Sequence, residues 1–211
     1  MRRILALALL LAVLAATGWT LYHWNRSAEQ RSDPWRAIPE RSAAVLIIPD
    51  GFRTWDRVSH TSQFWASTLQ LPAVAAVEVL LSKVKARMEN DEVLRSALSG
   101  GPVHVALMRN GGNAMGCLFT GPLNEGAGEA QRALAEVLGL DASLSNTLAA
   151  GNVVQLQVDT ALPTLSLCVR EGVWMLGNSP AVMDEALLQW DKRSGLQKDS
   201  AFVAALRTLG A

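Results

Sequence analysis

The sequence predicts an α+β fold: a mostly antiparallel sheet with helices packed on one side, preceded by one N-terminal transmembrane helix. Short apolar runs bounded by glycine, asparagine and proline are typical of strands, and several follow one another across tight turns. Between them lie longer stretches whose apolar residues recur every three or four positions, as in amphipathic helices. Strands joined by hairpins pair antiparallel, and helices grouped beside such a sheet indicate the α+β class.

A long uncharged run near the N-terminus predicts the membrane segment. It extends from Ile4 to Tyr22, and roughly 20 apolar residues let a helix cross a bilayer core. Two arginines precede the run, which places the N-terminus in the cytoplasm, and aromatic residues suited to the membrane interface lie at its far end. We therefore expect residues 1–24 to form a single-pass inner-membrane anchor that contacts the lipid bilayer through residues 4–22.

A cleaved signal peptide is the alternative for this segment. Ala16 and Gly18 are small residues at the two positions that a signal peptidase reads. The length of the uncharged run and the aromatic residues Trp19, Tyr22 and Trp24 favour a retained anchor. Both interpretations predict export, so the globular domain is expected on the extracytoplasmic side.

The chain after the anchor divides into a linker and one domain. Residues 25–41 are polar and contain Pro34 and Pro39, which predicts a juxtamembrane linker. Residues 42–211 are long enough for one domain with its own core. Because the chain stops directly after an amphipathic helix, it is also expected to be either complete or the front part of a longer protein.

The first half of the domain is predicted to contain one strand and three helices. Ala43–Ile48 is an apolar run that predicts a buried strand, ended by Pro49-Asp50-Gly51. A helix follows with Thr54 as its cap, and Pro72 suits the first position of a second helix. A third, shorter helix from Asp91 to Leu98 is expected to have Asn90 as its cap.

The second half is predicted to contain two hairpins among three more helices. Val103–Met108 and Ala114–Thr120 flank an Asn-Gly-Gly-Asn turn, which favours a hairpin. The remaining elements are a helix from Glu125 to Leu138, a strand from Asn152 to Val158, a hairpin of Leu162–Val169 with Val173–Leu176, a helix starting at Ser179-Pro180, and a last helix starting at Asp199-Ser200.

Charge and cysteine content exclude several kinds of function. The chain has 19 basic and 19 acidic residues, so no basic surface is implied and nucleic acid is not an expected partner. Its 2 cysteines and 3 histidines lack the spacing of metal ligands, so no metal and no cofactor is expected. Cys117 and Cys168 fall in unlike patterns, which favours buried free thiols and leaves a disulfide as the alternative.

No catalytic pattern emerges from the sequence. Ser59 and His60 are adjacent, which does not place them face to face on a helix. His104 lies between valines in a strand, as a core or edge histidine does. The acidic groups fall at helix ends, where capping explains them. We assign no catalytic, cofactor-binding or metal residues. An enzyme would need at least two of five candidates to converge: His60, His104, Asp159, Arg170 and Glu171.

The tryptophans offer two interpretations. Their rings could line a groove for a peptide, a glycan or a lipid, or they could fill the core, which the composition favours. The residues concerned are Trp35, Trp55, Trp65, Trp174 and Trp190.

Three segments resemble an uncharacterised family of membrane-anchored bacterial envelope proteins, a domain of unknown function. They are Ile-Pro-Glu-x-Ser-Ala-Ala-Val-Leu-Ile-Ile at 38–48, the strand-to-helix passage from Trp174 to Leu188, and Gly195-Leu196-x-x-Asp-Ser-x-Phe202. The resemblance covers residues 38–209 and implies a single N-terminal span followed by an ectodomain. It carries no catalytic residues to this chain.

We expect a non-catalytic binding or structural module of the bacterial envelope, anchored in the membrane and holding an envelope protein partner. The alternative is an envelope hydrolase or small-ligand-binding domain whose polar residues meet only in three dimensions. An exposed apolar patch or an unpaired sheet edge would favour the first expectation.

Overall fold

The computed structural model describes residues 33–99, 101–110, 114–123, 127–192, 196 and 199–208. In this part of the chain, strands in the order β1-β2-β3-β6-β5-β4 form one antiparallel sheet. The strands are β1 (Ala44–Ile48), β2 (Val103–Asn110), β3 (Ala114–Pro122), β4 (Val154–Leu156), β5 (Leu165–Arg170) and β6 (Val173–Gly177). The predicted α+β class and antiparallel sheet are confirmed.

Helices lie before, between and after the strands. A 3₁₀ turn at Pro34–Ala37 comes first. The α-helices are α1 (Gly51–Thr61), α2 (Gln63–Thr68), α3 (Pro72–Met88), α4 (Glu92–Leu98), α5 (Ala127–Val137), α6 (Ala142–Ala149), α7 (Pro180–Lys192) and α8 (Ser200–Thr208). None of these described helices is long and apolar enough to cross a membrane, and residues 4–22 lie outside the described part.

The two predicted hairpins are present. β5 and β6 are joined by Glu171 and Gly172, whose φ angles are 47° and 79°. Positive φ at both central residues is the type I′ geometry, which matches the twist of the strands it joins. β2 and β3 pair from His104 opposite Thr120 to Asn110 opposite Ala114, while the turn residues 111–113 lie outside the described part.

Two helix starts differ from the prediction. Asp50, and not Thr54, caps α1, and its carboxylate accepts a hydrogen bond from the Arg53 amide at 3.2 Å. Gly51, the first residue of the helix, lies against Val103, where a Cβ would come within 2.1 Å of Cγ2, so this position has no room for a side chain. Asp91, and not Asn90, caps α4.

The prediction missed α6 and made β4 too long. Asp141 caps α6 by accepting from the Leu144 amide at 2.8 Å, and Leu148 is the residue that the helix buries. β4 keeps only Val154–Leu156 of the predicted 152–158, because the Gln157 side chain donates to the carbonyls of the following loop, including that of Leu162 at 2.7 Å.

Helices cover both faces of the sheet, so the expectation of one-sided packing is wrong for its β4–β6 half. Leu165, Leu167 and Val169 of β5 join one core cluster with α3–α6. Cys168, from the same strand, joins a second cluster with α7. Because successive strand residues point to opposite faces, a strand buried on both faces requires cover on both.

Part of the predicted linker segment contacts the core. Ala37 and Ile38 are fully buried in the cluster around α7, and Trp35 packs against it. The Arg36 guanidinium lies 4.1 Å from the ring centre of Trp190 and bonds to Glu171 at 2.8 Å.

Candidate binding surface

An apolar surface lies on the face of β1–β3 that shares its side with α3–α6. Leu46 is 60% exposed and Met115 is 66% exposed. Both lie on this face because Leu46 pairs with Val105, which pairs with Phe119, and Met115 is four residues from Phe119 along β3. Ala44, Leu107 and Cys117 form the row between them. We call these five residues, Ala44, Leu46, Leu107, Met115 and Cys117, the open sheet surface.

The same apolar row is buried at one end of the sheet and exposed at the other. Cross-strand pairing runs from Leu46 through Val105, Phe119, Leu176 and Leu167 to Val154. Val154 is buried in the cluster beneath the helices, whereas Leu46 is not. The open sheet surface is therefore the part of an apolar face that helices α3–α6 do not reach.

The edge of the sheet beside this surface is formed by β1. In the described part of the chain, β1 pairs with β2 on one side and ends the sheet on the other. The sequence of Ala44–Ile48 contains no charged residue and no proline. The strand that was expected to be buried is thus an edge strand, and Ala44 and Leu46 within it are exposed.

His104 lies on the opposite face and belongs to the core. Its side chain is 3% exposed, and its ring centre is 4.4 Å from that of Trp35, which in turn lies 5.0 Å from Phe202. Burial lowers the pKa of His104 from 6.5 to about 4, and a hydrogen bond to the Thr120 backbone opposes the shift. The nearby Thr120 hydroxyl donates to the Trp174 carbonyl at 2.9 Å, so it is engaged in the sheet.

The other candidate catalytic residues bond to separate partners. Arg170 donates to the Gly151 carbonyl at 2.7 Å and to Asp191 at 3.0 Å. Glu171 accepts from Arg36, and Asp159 accepts from the Ala161 amide inside its own loop at 2.8 Å. The side chain of His60 lies outside the described part. The described candidates therefore serve local structure and do not build a shared site.

The two cysteines are free, as the favoured interpretation expected. Cys117 is half-buried on the open sheet surface, and Cys168 is buried in the cluster on the opposite face. The sheet itself separates the two thiols. Burial raises the pKa of both, to about 11 for Cys168, so both are protonated at neutral pH.

The described tryptophans mostly fill or seal the core. Trp190 is buried, Trp174 packs against Gly121, and the Trp55 indole donates to Glu78 at 2.8 Å. Trp35 contacts His104 and Phe202. The side chain of Trp65 lies outside the described part. These positions favour core filling over a groove lined by aromatic rings.

A small cleft lies beside β4. Its volume is about 180 Å³, and its lining includes Lys83, Leu144 and Gln157. Sites for small molecules commonly measure ~300–1,000 Å³, so this cleft is too small for most of them. Among the described residues, no group of three or more His, Cys, Asp or Glu side chains could hold a metal ion.

Comparison with known proteins adds no family. No protein-family model, curated protein or solved structure matches the chain. The geometry of the open sheet surface is therefore the basis for a function.

Sequence reasoning missed the residues of this surface. Leu46 lies in a run in which both alternating sets are apolar, so period two does not show which set is exposed. Met115 lies next to a turn, and the apolar residues near it in the predicted strand suggested that its side chain is buried. Exposure depends on where the helices stop, which no local pattern reports.

Proposed function

We propose that this chain is a non-catalytic binding or structural module of the bacterial envelope, anchored in the membrane, and that the open sheet surface binds an envelope protein. The observation that supports the proposal is the exposure of Leu46 and Met115 on one face. Single exposed apolar residues are ordinary, but these two share a face with half-buried Leu107 and Cys117, and Arg109, which pairs with Met115, borders them.

The location in the proposal comes from the N-terminal sequence. The uncharged run at 4–22, with arginines before it and aromatic residues at its end, suits a retained span with the domain outside the cytoplasm. A reporter enzyme that is active only after export, fused after residue 32, should be active. An inactive fusion would contradict the extracytoplasmic location.

Capture from cross-linked membranes tests the binding surface. Full-length tagged protein should recover a specific partner, and a double Leu46→Lys, Met115→Lys variant should lose it because charged side chains on the surface oppose apolar contact. Leu188→Lys is the matched control, since Leu188 is 55% exposed on α7. A version lacking residues 1–24 tests whether recovery requires the anchor.

Equal recovery by all variants would contradict the proposal. If the double variant and the Leu188→Lys variant recover the same proteins in the same amounts as the wild type, the open sheet surface does not bind an envelope protein. The alternative of an envelope hydrolase or small-ligand-binding domain has less support, because its candidate side chains bond to separate partners and the cleft is small.

A further inference from the structure

We propose that the chain pairs with a second copy of itself, antiparallel through β1 across a two-fold axis, at the edge of the open sheet surface. The proposal deepens the binding function above and shares only Leu46 with it. An edge strand presents unpaired backbone N–H and C=O groups that another strand can pair with. A two-fold axis sets the same strand of a second copy against it, so the interface is self-complementary.

β1 lacks the features with which proteins usually prevent edge pairing. Such features include charged side chains, proline, bulges that twist the edge away and very short strands. Ala44–Ile48 has five residues, none of them charged and none proline, and three are β-branched. In the described part of the chain, β1 pairs only with β2, so its other edge has no neighbouring strand.

The opposite edge of the sheet provides a contrast within the same molecule. β4 has three residues, and directly after it the Gln157 side chain donates to backbone carbonyls of the loop that follows. Gln155, in the middle of the strand, accepts from the Ser166 hydroxyl of β5 at 3.1 Å. β4 is thus short, and the loop after it is held by hydrogen bonds from Gln157. β1 is therefore the edge better suited to pairing with another strand.

The side chains of β1 match a second β1. Pairing centred on Leu46 places Leu46 opposite Leu46 of the second copy, and it sets Val45 opposite Ile47 and Ala44 opposite Ile48. Every opposed pair is apolar, and such cross-strand pairs stabilise a sheet. Arg41 precedes the strand with its side chain 82% exposed, although it also bonds to Glu185 of its own chain. Asp50 follows the strand, so antiparallel pairing brings opposite charges toward each other.

Charge placed at the centre of the pairing tests this register. Two full-length copies with different tags are co-expressed and purified in detergent, and recovery of one through the other is measured. The wild type should co-purify, and Leu46→Lys alone or Leu46→Glu alone should reduce recovery about tenfold because like charges then lie opposite each other. Leu46→Lys mixed with Leu46→Glu should restore it.

Three controls and readouts accompany the charge variants. Leu188→Lys should leave recovery unchanged, because that leucine lies on α7. Met115→Lys should also leave it unchanged, since β3 is two strands away from the edge. The thermal unfolding midpoint of each variant should match that of the wild type, because Leu46 is largely exposed.

A cysteine substitution measures the pairing directly. Residues opposed across antiparallel strands have Cα atoms ~4.5–5.5 Å apart, within the range that a disulfide bridges. Leu46→Cys in a Cys117→Ser background should form a covalent dimer under mild oxidation. Leu188→Cys in the same background should not.

The outcomes separate this proposal from the binding function. If the two tagged copies do not co-purify while a different protein is captured through Leu46 and Met115, strand pairing is wrong and the binding function stands. Recovery of the second copy that depends on Met115 but not on Leu46 would also overturn strand pairing. Restoration by the opposite-charge mixture, together with the Leu46→Cys dimer, would establish it.

Discussion

At the scale of single residues, His104 shows how burial decides the chemistry of a side chain. Its position between valines predicted a core or edge residue, and the structure buries it against Trp35 on the face that carries α7. Its Nδ1 atom is buried without a hydrogen-bond partner in the described structure. An imidazole in such a place is held neutral, since the charged form cannot be solvated.

The first prediction concerns the pH dependence of stability. The folded pKa of about 4 lies below the ordinary 6.5, so between these values the unfolded chain binds the extra proton. The free energy of unfolding should therefore fall as pH drops from 6.5 to 4, by about 3 kcal/mol in total, and this term should be constant above 6.5. His104→Gln should remove that slope in denaturant unfolding at several pH values.

The test compares how the free energy of unfolding changes with pH in the two proteins, and not their absolute stabilities. Glutamine does not titrate, so the difference between the wild type and the variant isolates the histidine from the carboxylates. An equal fall in both proteins between pH 6.5 and 4 would show that His104 is not a buried neutral imidazole.

The second prediction concerns Asn178, which extends the pairing of β3 with side-chain bonds. Its side-chain oxygen accepts from the Cys117 amide at 2.9 Å, and its side-chain nitrogen donates to the Met115 carbonyl at 3.2 Å. Asn178→Ala should lower the free energy of unfolding by ~1–3 kcal/mol because it leaves strand backbone groups unpaired. Asn178→Asp keeps the acceptor and should recover part of the loss.

At the scale of elements, two glycines give opposite predictions for the same substitution. A Cβ on Gly121 of β3 would lie 2.8 Å from Cζ2 of Trp174 on β6, whereas a Cβ on Gly128 of α5 would have no atom within 4 Å. Gly121→Ala should cost about 1–3 kcal/mol by overpacking. Gly128→Ala should stabilise by up to ~1 kcal/mol, because alanine favours a helix.

Denaturant unfolding of the two variants checks this pair. No loss of stability for Gly121→Ala would contradict the packing of β3 against β6 described above. A loss for Gly128→Ala would contradict the open surroundings of Gly128 on α5. The pair also tests the central strand contact of the sheet, because β3 and β6 join its two halves.

Element boundaries followed the local sequence where a cap or a turn was explicit. Pro72 begins α3 as predicted, and Ser179-Pro180 begins α7 as predicted. α6 was missed because an eight-residue helix with one buried leucine has almost no apolar stripe to detect. Gly51, the first residue of α1, lies against Val103, which is far along the chain.

At the scale of the whole molecule, the sheet consists of two three-stranded halves. The halves differ in the face on which their following helices pack. β1-β2-β3 and β4-β5-β6 occupy the sheet in mirrored order around the β3–β6 pair. α5 and α6, which follow the first half, pack on one face, while α7, which follows the second, packs on the other. This arrangement leaves part of one face of β1–β3 uncovered, around Leu46 and Met115.

The fourth prediction concerns where the domain begins. A chain starting at residue 42 lacks Ala37 and Ile38, which are fully buried, and Trp35, which packs against the same cluster. It should lose about 4 kcal/mol or more relative to a chain starting at residue 33. Equal unfolding midpoints for the two chains would show that residues 33–41 act as a linker, as their polar sequence suggested.

The sequence by itself determined the α+β class and the antiparallel hairpins, because turn residues and apolar periodicity are local properties. For His104 it indicated a core or edge position, and the tertiary structure decided for the core. The sequence also carries the uncharged run from which we infer a membrane anchor, a hypothesis that the described part of the chain leaves to experiment. These sequence-based conclusions needed no knowledge of which elements meet.

Only the tertiary structure decided which apolar residues are exposed. Leu46 and Leu167 lie in one cross-strand row and look alike in sequence, yet Leu167 is buried in a helix-covered core and Leu46 lies at the open edge. The difference arises because α3–α6 pack over β4–β6 and stop short of β1. The physical reason is that burial depends on the reach of distant elements, whereas a strand pattern reports only the residues themselves.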